Sequence, residues 1–576
     1  MARRLSTEPI MSLSSETVRI AIVGGGVAGL STAYYLQKHC PGPLSIDIFE
    51  KKAALGGNAE TVLVDLGDRV DADGPNRAYL RWADLGVNDV NLATYHLLKQ
   101  VMDDIGYLQN MKPLQDTTSY FSGDGSLALT DDSALTTGVT DPRFSVAGAD
   151  DGLLGLLIAV VHRAAIDLLP DITPDYTVGE FFQRCIETPQ QMLAAAALQL
   201  KVHVDWSDPA LPPCLQRVRD DIYYPRISAM YFADERGPQV MPLLAPFEYY
   251  QLQEGGVAPD RRYFDMGAQT WLEALASWLT AGHRRDAAVR LHTDAAVHVT
   301  VNPGQVTLAR EGLPDATFDL CVMATHADDA ARIVAFGDGV AAAGAQLRQV
   351  LESIDYTFGY AVCHTYDGVM PPSRNIWRTY NVLKRSRADS VFPYRMSYVC
   401  PLHQNDPVNP PYNQAGLPQF FVSLVDDLNR IPVDTMLDRV QGTGRVHPRL
   451  FAALPRATQR SLQHEAVRGG YHPAEYGRAH PMGSRLAGKA WTMFKHNVLD
   501  AACYRAQHAI AAYNQATAVA FSSAGKVQCP LLFAGGWTNG AGLQEQCLQQ
   551  SRQLVMWLGM ASEATEPAAD TGSAVA

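Results

Sequence analysis

Read for apolar and polar positions, the chain offers a short apolar run at 18–23 (VRIAIV) that stops at Gly24-Gly25-Gly26. The period then changes. Leu30, Ala33, Tyr34 and Gln37 fall at helical spacing, Pro41-Gly42-Pro43 breaks the chain, and a second alternating run, Leu44 to Phe49, ends at Glu50. The pattern predicts strand, tight turn, helix, turn, strand: a βαβ unit in a parallel sheet. Residues 93–105 pattern as a helix. Between 108 and 255, helical apolar stretches (153–168, 190–203) alternate with Pro-rich breaks such as 208–213, and aromatics gather at Tyr223, Tyr224, Tyr231, Phe232, Phe247, Tyr249 and Tyr250. Strands are expected at 288–301 and 305–310 around Asn302-Pro303-Gly304, at 318–324 and at 530–534, with a helix over 542–558. The prolines of 401–418 mark a long surface loop, and 561–576 reads as a disordered tail. No internal repeat is present.

Composition narrows the picture. A chain of 576 residues exceeds one ordinary core, so two intimately built domains are expected. Apolar residues at 47% and charged residues at 19% describe a globular chain. A net charge of -13 argues against nucleic acid, which needs a basic face. The 9 cysteines form no C-x-x-C pair, which argues against a zinc ribbon or dithiol site and suits free thiols in a reducing compartment. The 16 histidines are dispersed, and no metal-ligand cluster is expected. Residues 1–17 carry Arg3 and Arg4 but no apolar core of a secretory signal. The most apolar run, Leu153 to Val161, is far shorter than the roughly 20 residues of a bilayer span. The expectation is a soluble, cytoplasmic protein with no transmembrane segment.

Gly24-x-Gly26-x-x-Gly29 lies between the first strand and the first helix. There the first glycine makes the turn, the second lets backbone approach a pyrophosphate, and the third lets helix pack on strand. Val27 and Ala28 open the helix, whose N-terminal amides would face phosphate charge. Glu50, at the end of the second strand with Lys51 beside it, stands where an acidic side chain accepts hydrogen bonds from an adenosine ribose; an acid there disfavours NADP. The remaining reading is a Gly-rich turn that only connects strand and helix.

The next segment, Glu50 to Thr61 with Gly56-Gly57-Asn58-Ala59, resembles the second signature of the flavin-containing amine oxidase and phytoene desaturase superfamily, in a version similar to a bacterial subgroup of FAD-binding oxidoreductases. Many members carry Arg where Asn58 stands. Asp84-Leu85-Gly86-Val87-Asn88, with Asn91 and Tyr95, resembles the subgroup's segment near the flavin ring; Asp71 to Pro75 is a rival match. His292 to Ala295 resembles the strand whose backbone contacts adenine, and Phe318 to His326 the strand that closes that side. His364 to Asp367, Met370-Pro371 and Trp377 to Asn381 resemble motifs of the substrate domain. Leu532 to Thr538 with Gly535-Gly536, then Gly542-Leu543-Gln544-Glu545, is similar to the closing FAD motif, although many relatives have an acidic residue at the place of Gly536. An enzyme using NAD alone has no need of that second segment, so the resemblance implies FAD. It implies an α/β fold: a Rossmann-like FAD-binding domain of the glutathione-reductase type (18–107, 256–345, 485–560) with an interleaved α+β substrate domain (108–255, 346–484), in amine-oxidase-like two-domain topology.

Flavin dehydrogenation needs a substrate held against the flavin, water excluded and the flavin tuned, so no triad is required and none is seen. Trp537 is a candidate flavin-facing wall, with core packing the alternative. Asn539 could present a polar group to substrate or serve the turn. Lys495 resembles the lysine that holds a water near flavin N5 in many amine oxidases, with His496 beside it; the alternative is a solvated lysine. Cys529 and Cys547 flank the closing motif as buried thiols or covalent flavin sites. The resemblance implies hydride removal from a C–N bond of an amine or amino-acid-like substrate, partly apolar, with dioxygen or another electron acceptor reoxidising FAD. The alternatives are a desaturase or double-bond isomerase acting on a fatty acid or polyene, and a non-catalytic binding protein on the same fold.

Overall fold

The computed structural model describes residues 17–40, 42–71, 74–114, 116–122, 128–131, 145–146, 151–231, 236–254, 258–371, 374, 377–384, 394–404, 419–440, 486 and 488–559. The expected tail 561–576, the stretch 1–16, most of the 401–418 loop and Phe232 lie outside them. The chain divides into two compact units, one of Met1–Lys52, Leu275–Glu352 and His508–Ala576, the other of Ala53–Ala274 and Ser353–Gln507.

The first unit is Rossmann-like. Strand β1 (Val18–Val23) runs into helix α1 (Val27–His39) and strand β2 (Leu44–Phe49); strands β3 (Ala287–His292), β4 (Leu320–Met323) and β5 (Leu531–Phe533) and helix α2 (Gln544–Trp557) complete it. The five strands are all parallel, in the order β3-β2-β1-β4-β5. Ile20, Ile22, Ile46, Ile48, Leu320, Val322 and Leu531 are fully buried, the near-continuous apolar signature of a sheet covered on both faces. Ser31 and Thr32 of α1 meet Ser551 of α2 through hydroxyl contacts of 2.8 and 3.0 Å. The outer edge of β5 is paired by a side chain: Asn514 accepts from Phe533 N–H and donates to Phe533 O, at 3.0 and 2.7 Å. Strand order reverses between β1 and β4, so this unit has a switch point at the carboxyl ends of its strands.

The expected single strand over 288–301 is two. β3 ends at His292, and a separate strand, His298–Asn302, joins a four-stranded sheet with Gln305–Arg310, Leu313–Phe318 and Val334–Phe336. Backbone capture causes the break. Asp294 takes a left-handed conformation (φ 51°) as its N–H reaches Lys52 O (2.9 Å), and Ala295 N–H reaches Glu50 O (2.9 Å).

The second unit holds an eight-stranded sheet and a set of helices. The sheet runs from Trp491–Asn497 at one edge through Tyr356–His364, Phe421–Val425, Tyr394–Val399, Tyr380–Lys384 and Thr118–Ser122. The aromatics Tyr223, Phe247, Tyr250 and Tyr263 are buried, with ring centroids of the first three 5.3 to 6.3 Å apart, so these four are core. The apolar run at 153 is part of a longer helix than the sequence suggests. Gly152–Asp171 is long and apolar enough, by length and composition, to cross a membrane, and half of its apolar window is buried in the protein. All 9 cysteines are free and buried.

Candidate functional site

In the first unit two glycine turns leave the same sheet edge. The strand ends are in register, Val23 beside Met323 and Met323 beside Phe533. Just beyond them Gly24 N–H bonds Phe49 O (2.8 Å), Ala324 N–H bonds Val23 O (2.8 Å) and Ala534 N–H bonds Met323 O (2.9 Å). Gly24 has φ 115°, and a Cβ on it would lie 2.5 Å from Ala324 O, so a side chain is excluded twice over. A Cβ on Gly29 would collide with Gly24 O; here the helix packs directly on the turn. Gly26 is the N-cap of α1 with extended backbone, and Val27 and Ala28 form the first turn. First-turn amides have no carbonyl partner within their helix and present partial positive charge.

Glu50 is buried, and both of its carboxylate oxygens are engaged by backbone. One carboxylate oxygen accepts from Gly25 N–H (2.8 Å), the other from Lys52 N–H (2.9 Å). It therefore fixes the glycine turn and its own loop, and each oxygen keeps a lone pair for a further donor. Lys51 is exposed beside it. Ala295 N–H is spent on Glu50 O, which ties the expected adenine strand to this corner.

At the far turn, a Cβ on Gly535 would collide with Thr325 O, whereas one on Gly536 would meet nothing closer than Gly542 Cα at 3.6 Å. Gly542 (φ 72°) backs onto the Gly536 carbonyl, and Leu543 N–H donates to Gln546 Oε1 (3.1 Å) as α2 begins. Trp537 is buried, donates its indole N–H to Thr325 O (3.1 Å), and sits edge-on to Phe533 with centroids 6.1 Å apart. Asn539 donates to Gln546 O (3.0 Å), and its own carbonyl accepts from Gly542 N–H: it serves the turn. The Cys547 thiol points to Gly542 O, and burial pushes it up to about 12, so it is a neutral thiol.

In the second unit another pair of turns meets. Gly56 and Gly57 both have positive φ, and Gly86 lies so close to Asn58 O that a Cβ would collide with it. Val87 N–H approaches the same carbonyl (3.4 Å), with Asn88 next to it, and Leu85 N–H bonds Glu60 O (2.8 Å). It is thus the 84–88 segment that meets the Gly56-Gly57-Asn58 turn; of the rival stretch, Asp71 and Gly74 pair with each other at the opposite end of the strand pair from Thr61 and Asp84. The hinge of this arrangement is Asp84. Its Oδ1 accepts from Thr61 Oγ1 and from Ala268 N–H, and Gln269 ties in by donating from its backbone to Thr61 Oγ1 (3.1 Å) and from Nε2 to Leu55 O (3.1 Å). Asp84 Oδ2 is buried without a partner, and burial, partly offset by the Thr61 and Ala268 bonds, pushes the carboxyl up to about 7. The local pattern places Asp84 in the 84–88 motif but carries no mark of its burial.

Lys495 is 2% exposed, so the solvated reading is replaced by a buried one. Its ammonium is 5.0 Å from the centroid of the Tyr356 ring, on the neighbouring strand. His496 Nδ1 lies 2.8 Å from Asn497 O. Two of the substrate-domain motifs are joined by a buried polar row. Tyr366 N–H donates to His364 Nδ1 (3.1 Å), which leaves the proton on Nε2 to donate to Ser423 Oγ (2.8 Å); Ser423 meets Ser397 (2.6 Å), and Ser397 O accepts from Asn381 (3.3 Å). Burial pushes His364 down to about 3, so it is neutral. Sequence reading also missed His403, a buried imidazole among Tyr263, Tyr380 and Tyr398 that burial likewise pushes down to about 3. His326, Asp328 and Asp329 gather within 4.8 Å at the start of the helix Ala327–Ile333, where acidic residues suit the helix end and Asp329 pairs with Arg332.

Residues 22–89 match the family model for an NAD(P)-binding Rossmann-like domain. Protoporphyrinogen oxidase of Schizosaccharomyces pombe is 49% identical over 49 residues, which are 8% of this chain; the match spans a tenth (10%) of that relative. Similar solved structures include a putative protoporphyrinogen oxidase from Exiguobacterium sp. (15% identity, TM-score 0.47, covering 94% of this chain and 98% of that one). A fatty acid isomerase from P. acnes, described as CLA-producing, gives 14% identity and a TM-score of 0.48 over 95% and 99% of the chains. A putrescine oxidase bound to putrescine gives 13% and 0.46 over 94% and 98%.

Proposed function

We propose that this chain is an FAD-dependent oxidoreductase of the flavin-containing amine oxidase superfamily, removing hydride from a C–N bond of an amine or amino-acid-like substrate. One observation carries the reading: two glycine turns, Gly24–Gly29 and Gly535–Gly542, open at the same carboxyl edge of one parallel sheet, each followed by a helix N-terminus. A mononucleotide or NAD alone needs the first turn; the second is what an elongated flavin dinucleotide adds.

The residues fit that group. Gly24 and Gly535 hold the two turns tight against the Ala324 and Thr325 carbonyls, and Gly29 lets α1 pack on the first turn, which supports reading both turns as backbone presented at the sheet edge to a phosphate or ribityl chain. The α1 first turn and Gly26 would hold the pyrophosphate, Glu50 the adenosine ribose, and the α2 N-terminus the flavin end. Bound FAD supplies a two-electron acceptor that dioxygen or another oxidant then regenerates. The chain contributes binding, orientation and charge. Glu50 stiffens the phosphate turn through Gly25 N–H, so little ordering is left to pay on binding. The Gly56–Asn58 and Gly86–Asn88 turns are further cofactor contacts in this reading. In the second unit the buried Lys495 is the candidate for holding a water or proton, and the neutral His364–Ser423–Ser397 row the candidate for orienting a polar substrate group. The test is anaerobic: purified yellow protein is mixed with amines, amino acids and unsaturated fatty acids. Bleaching by an amine supports the reading; a yellow protein bleached only by other classes, or converting fatty acid with no bleaching, removes the C–N chemistry.

A further inference from the structure

Asp84 ends the strand Gly74–Asp84 and pairs across the ladder with Thr61, the first residue of the strand Thr61–Asp71. It is 1% exposed; its Oδ1 accepts from Thr61 Oγ1 and from Ala268 N–H (2.9 Å), and its Oδ2 is buried without a partner. The loop Asp265–Gln269 closes over this carboxyl. Two successive loop residues, Met266 (φ 62°) and Gly267 (φ 98°), are left-handed, a conformation uncommon for a methionine. A Cβ on Gly267 would collide with the Thr61 side chain, so the loop lies directly on the strand. The two strands are joined by a backbone ladder. The loop meets their ends through side chains instead: Ala268 N–H donates to Asp84 Oδ1, Gln269 N–H to Thr61 Oγ1 (3.1 Å), and Gln269 Oε1 accepts from Thr61 N–H (3.3 Å). Gln269 also ties the loop to the Gly56-Gly57 turn. Its Nε2 donates to Leu55 O (3.1 Å), and its Cγ lies 3.4 Å from where a Cβ on Gly56 would stand.

Among the described residues, the titratable groups that face Asp84 are Tyr107, Tyr398 and Cys400, and burial raises all three far enough to keep them neutral. The Tyr398 hydroxyl donates to the Asp84 backbone carbonyl. The charges on the surrounding elements are engaged elsewhere: Arg81 with Gln404 (2.7 Å), Glu60 with Arg439 (2.8 Å) and Asp265 with Lys112 (3.8 Å). Glu273, on the helix after the loop, adds negative charge on the Tyr107 side. A carboxylate formed here would lack a compensating cation and would need water at Oδ2, which the closed loop keeps out. We propose that Asp265–Gln269 is a pH-operated latch: closed over the protonated Asp84 carboxyl, it opens as that carboxyl gives its proton to water, and in opening it withdraws Gln269 from the Gly56-Gly57 turn. Every group in it belongs to the second unit, so the latch stands or falls independently of what the chain binds.

Amide hydrogen exchange of the full chain reads the latch directly, each rate being divided by its intrinsic rate at that pH. Burial, partly offset by the Thr61 and Ala268 bonds, holds the closed carboxyl at about 7, against 3.8 for an ordinary one. Opening therefore releases a proton, and its equilibrium constant rises with pH between those two values and levels off above the higher. In the wild type, protection of the loop amides, Ala268 and Gln269 among them, should fall roughly a hundredfold from pH 5 to pH 8. At each pH it should stay below the protection of the strand Tyr356–His364 in the same unit, because the latch opens without unfolding that sheet. In Asp84→Asn, loop protection should be flat across the same range. Thr61→Val removes the acceptor of Gln269 N–H and keeps the carboxyl, so loop protection should be lower at pH 5 with the pH slope retained. Wild-type loop protection that does not change with pH overturns the latch, and so does a slope that survives in Asp84→Asn. Loop protection equal to that of the strand, with the same urea dependence, overturns it as well, since the loop would then open only when the whole unit unfolds. Should Asp84→Asn not fold, the wild-type profile and Thr61→Val still decide, with unchanged pH 5 protection in Thr61→Val counting against the fastening.

Discussion

Replacing Asp84 by Asn removes a buried titratable group while keeping its shape. The Asn carbonyl can still accept from Thr61 and Ala268, and the amide nitrogen takes the place of the unpartnered Oδ2. The folded carboxyl is held at about 7 by burial, against an ordinary value of 3.8. Below both values the acid is neutral in either state and costs nothing. As pH rises from 4 towards 7 the unfolded chain releases its proton and the folded one does not, so stability falls with pH throughout that window. A gap of about 3 units is worth about 4 kcal/mol in full, and about 2 to 3 kcal/mol between pH 5 and pH 8. Urea unfolding at those two pH values, compared between wild type and Asp84→Asn, isolates the group because every other titration cancels in the difference. The Asn variant should gain about 2 to 3 kcal/mol on the wild type as pH goes from 5 to 8. A stability difference independent of pH would show that Asp84 is ionised in the folded protein and that its Oδ2 has a partner.

Further outcomes follow from single contacts. Glu50→Ala strips the acceptors of Gly25 N–H and Lys52 N–H, charge-assisted bonds of about 1.5–3 kcal/mol each, so FAD retention should weaken at least about tenfold; an unchanged dissociation constant would count against the ribose corner. Gly535→Ala drives a methyl into Thr325 O and the Trp537 indole and should release FAD on gel filtration while the helical circular dichroism stays; full retention of the flavin refutes the close approach. Lys495→Met keeps length and burial but removes the charge, so the rate of anaerobic flavin reduction should fall by about 10 to 100-fold with FAD content unchanged, and a wild-type rate contradicts the role.

Much of the first unit was legible because local signals agree there. A period-two run, a glycine turn, a helical period and an acidic strand end all point to β1-α1-β2, and each is decided by residues within one turn or strand. What depends on distant partners was not. The break of 288–301 at Asp294 comes from two carbonyls, Lys52 O and Glu50 O, some 240 residues earlier (294 against 52). Asp84 reads as an ordinary acidic residue until the hairpin places it opposite Thr61 and the loop at Ala268 closes over it. Lys495 carries no mark of burial in a stretch of mixed polarity; its place on a strand paired to Tyr356–His364 decides that.

The central claim is that one flavin dinucleotide is gripped at the β1 and β5 ends of a single sheet. Its most direct measurement is the flavin absorption and FAD stoichiometry of protein purified with added FAD, for the wild type and Gly26→Val, whose side chain would occupy the pyrophosphate's approach. The account predicts yellow wild-type protein with one FAD per chain and a colourless, folded Gly26→Val variant. Colourless wild-type protein, or a variant that stays fully yellow, contradicts it.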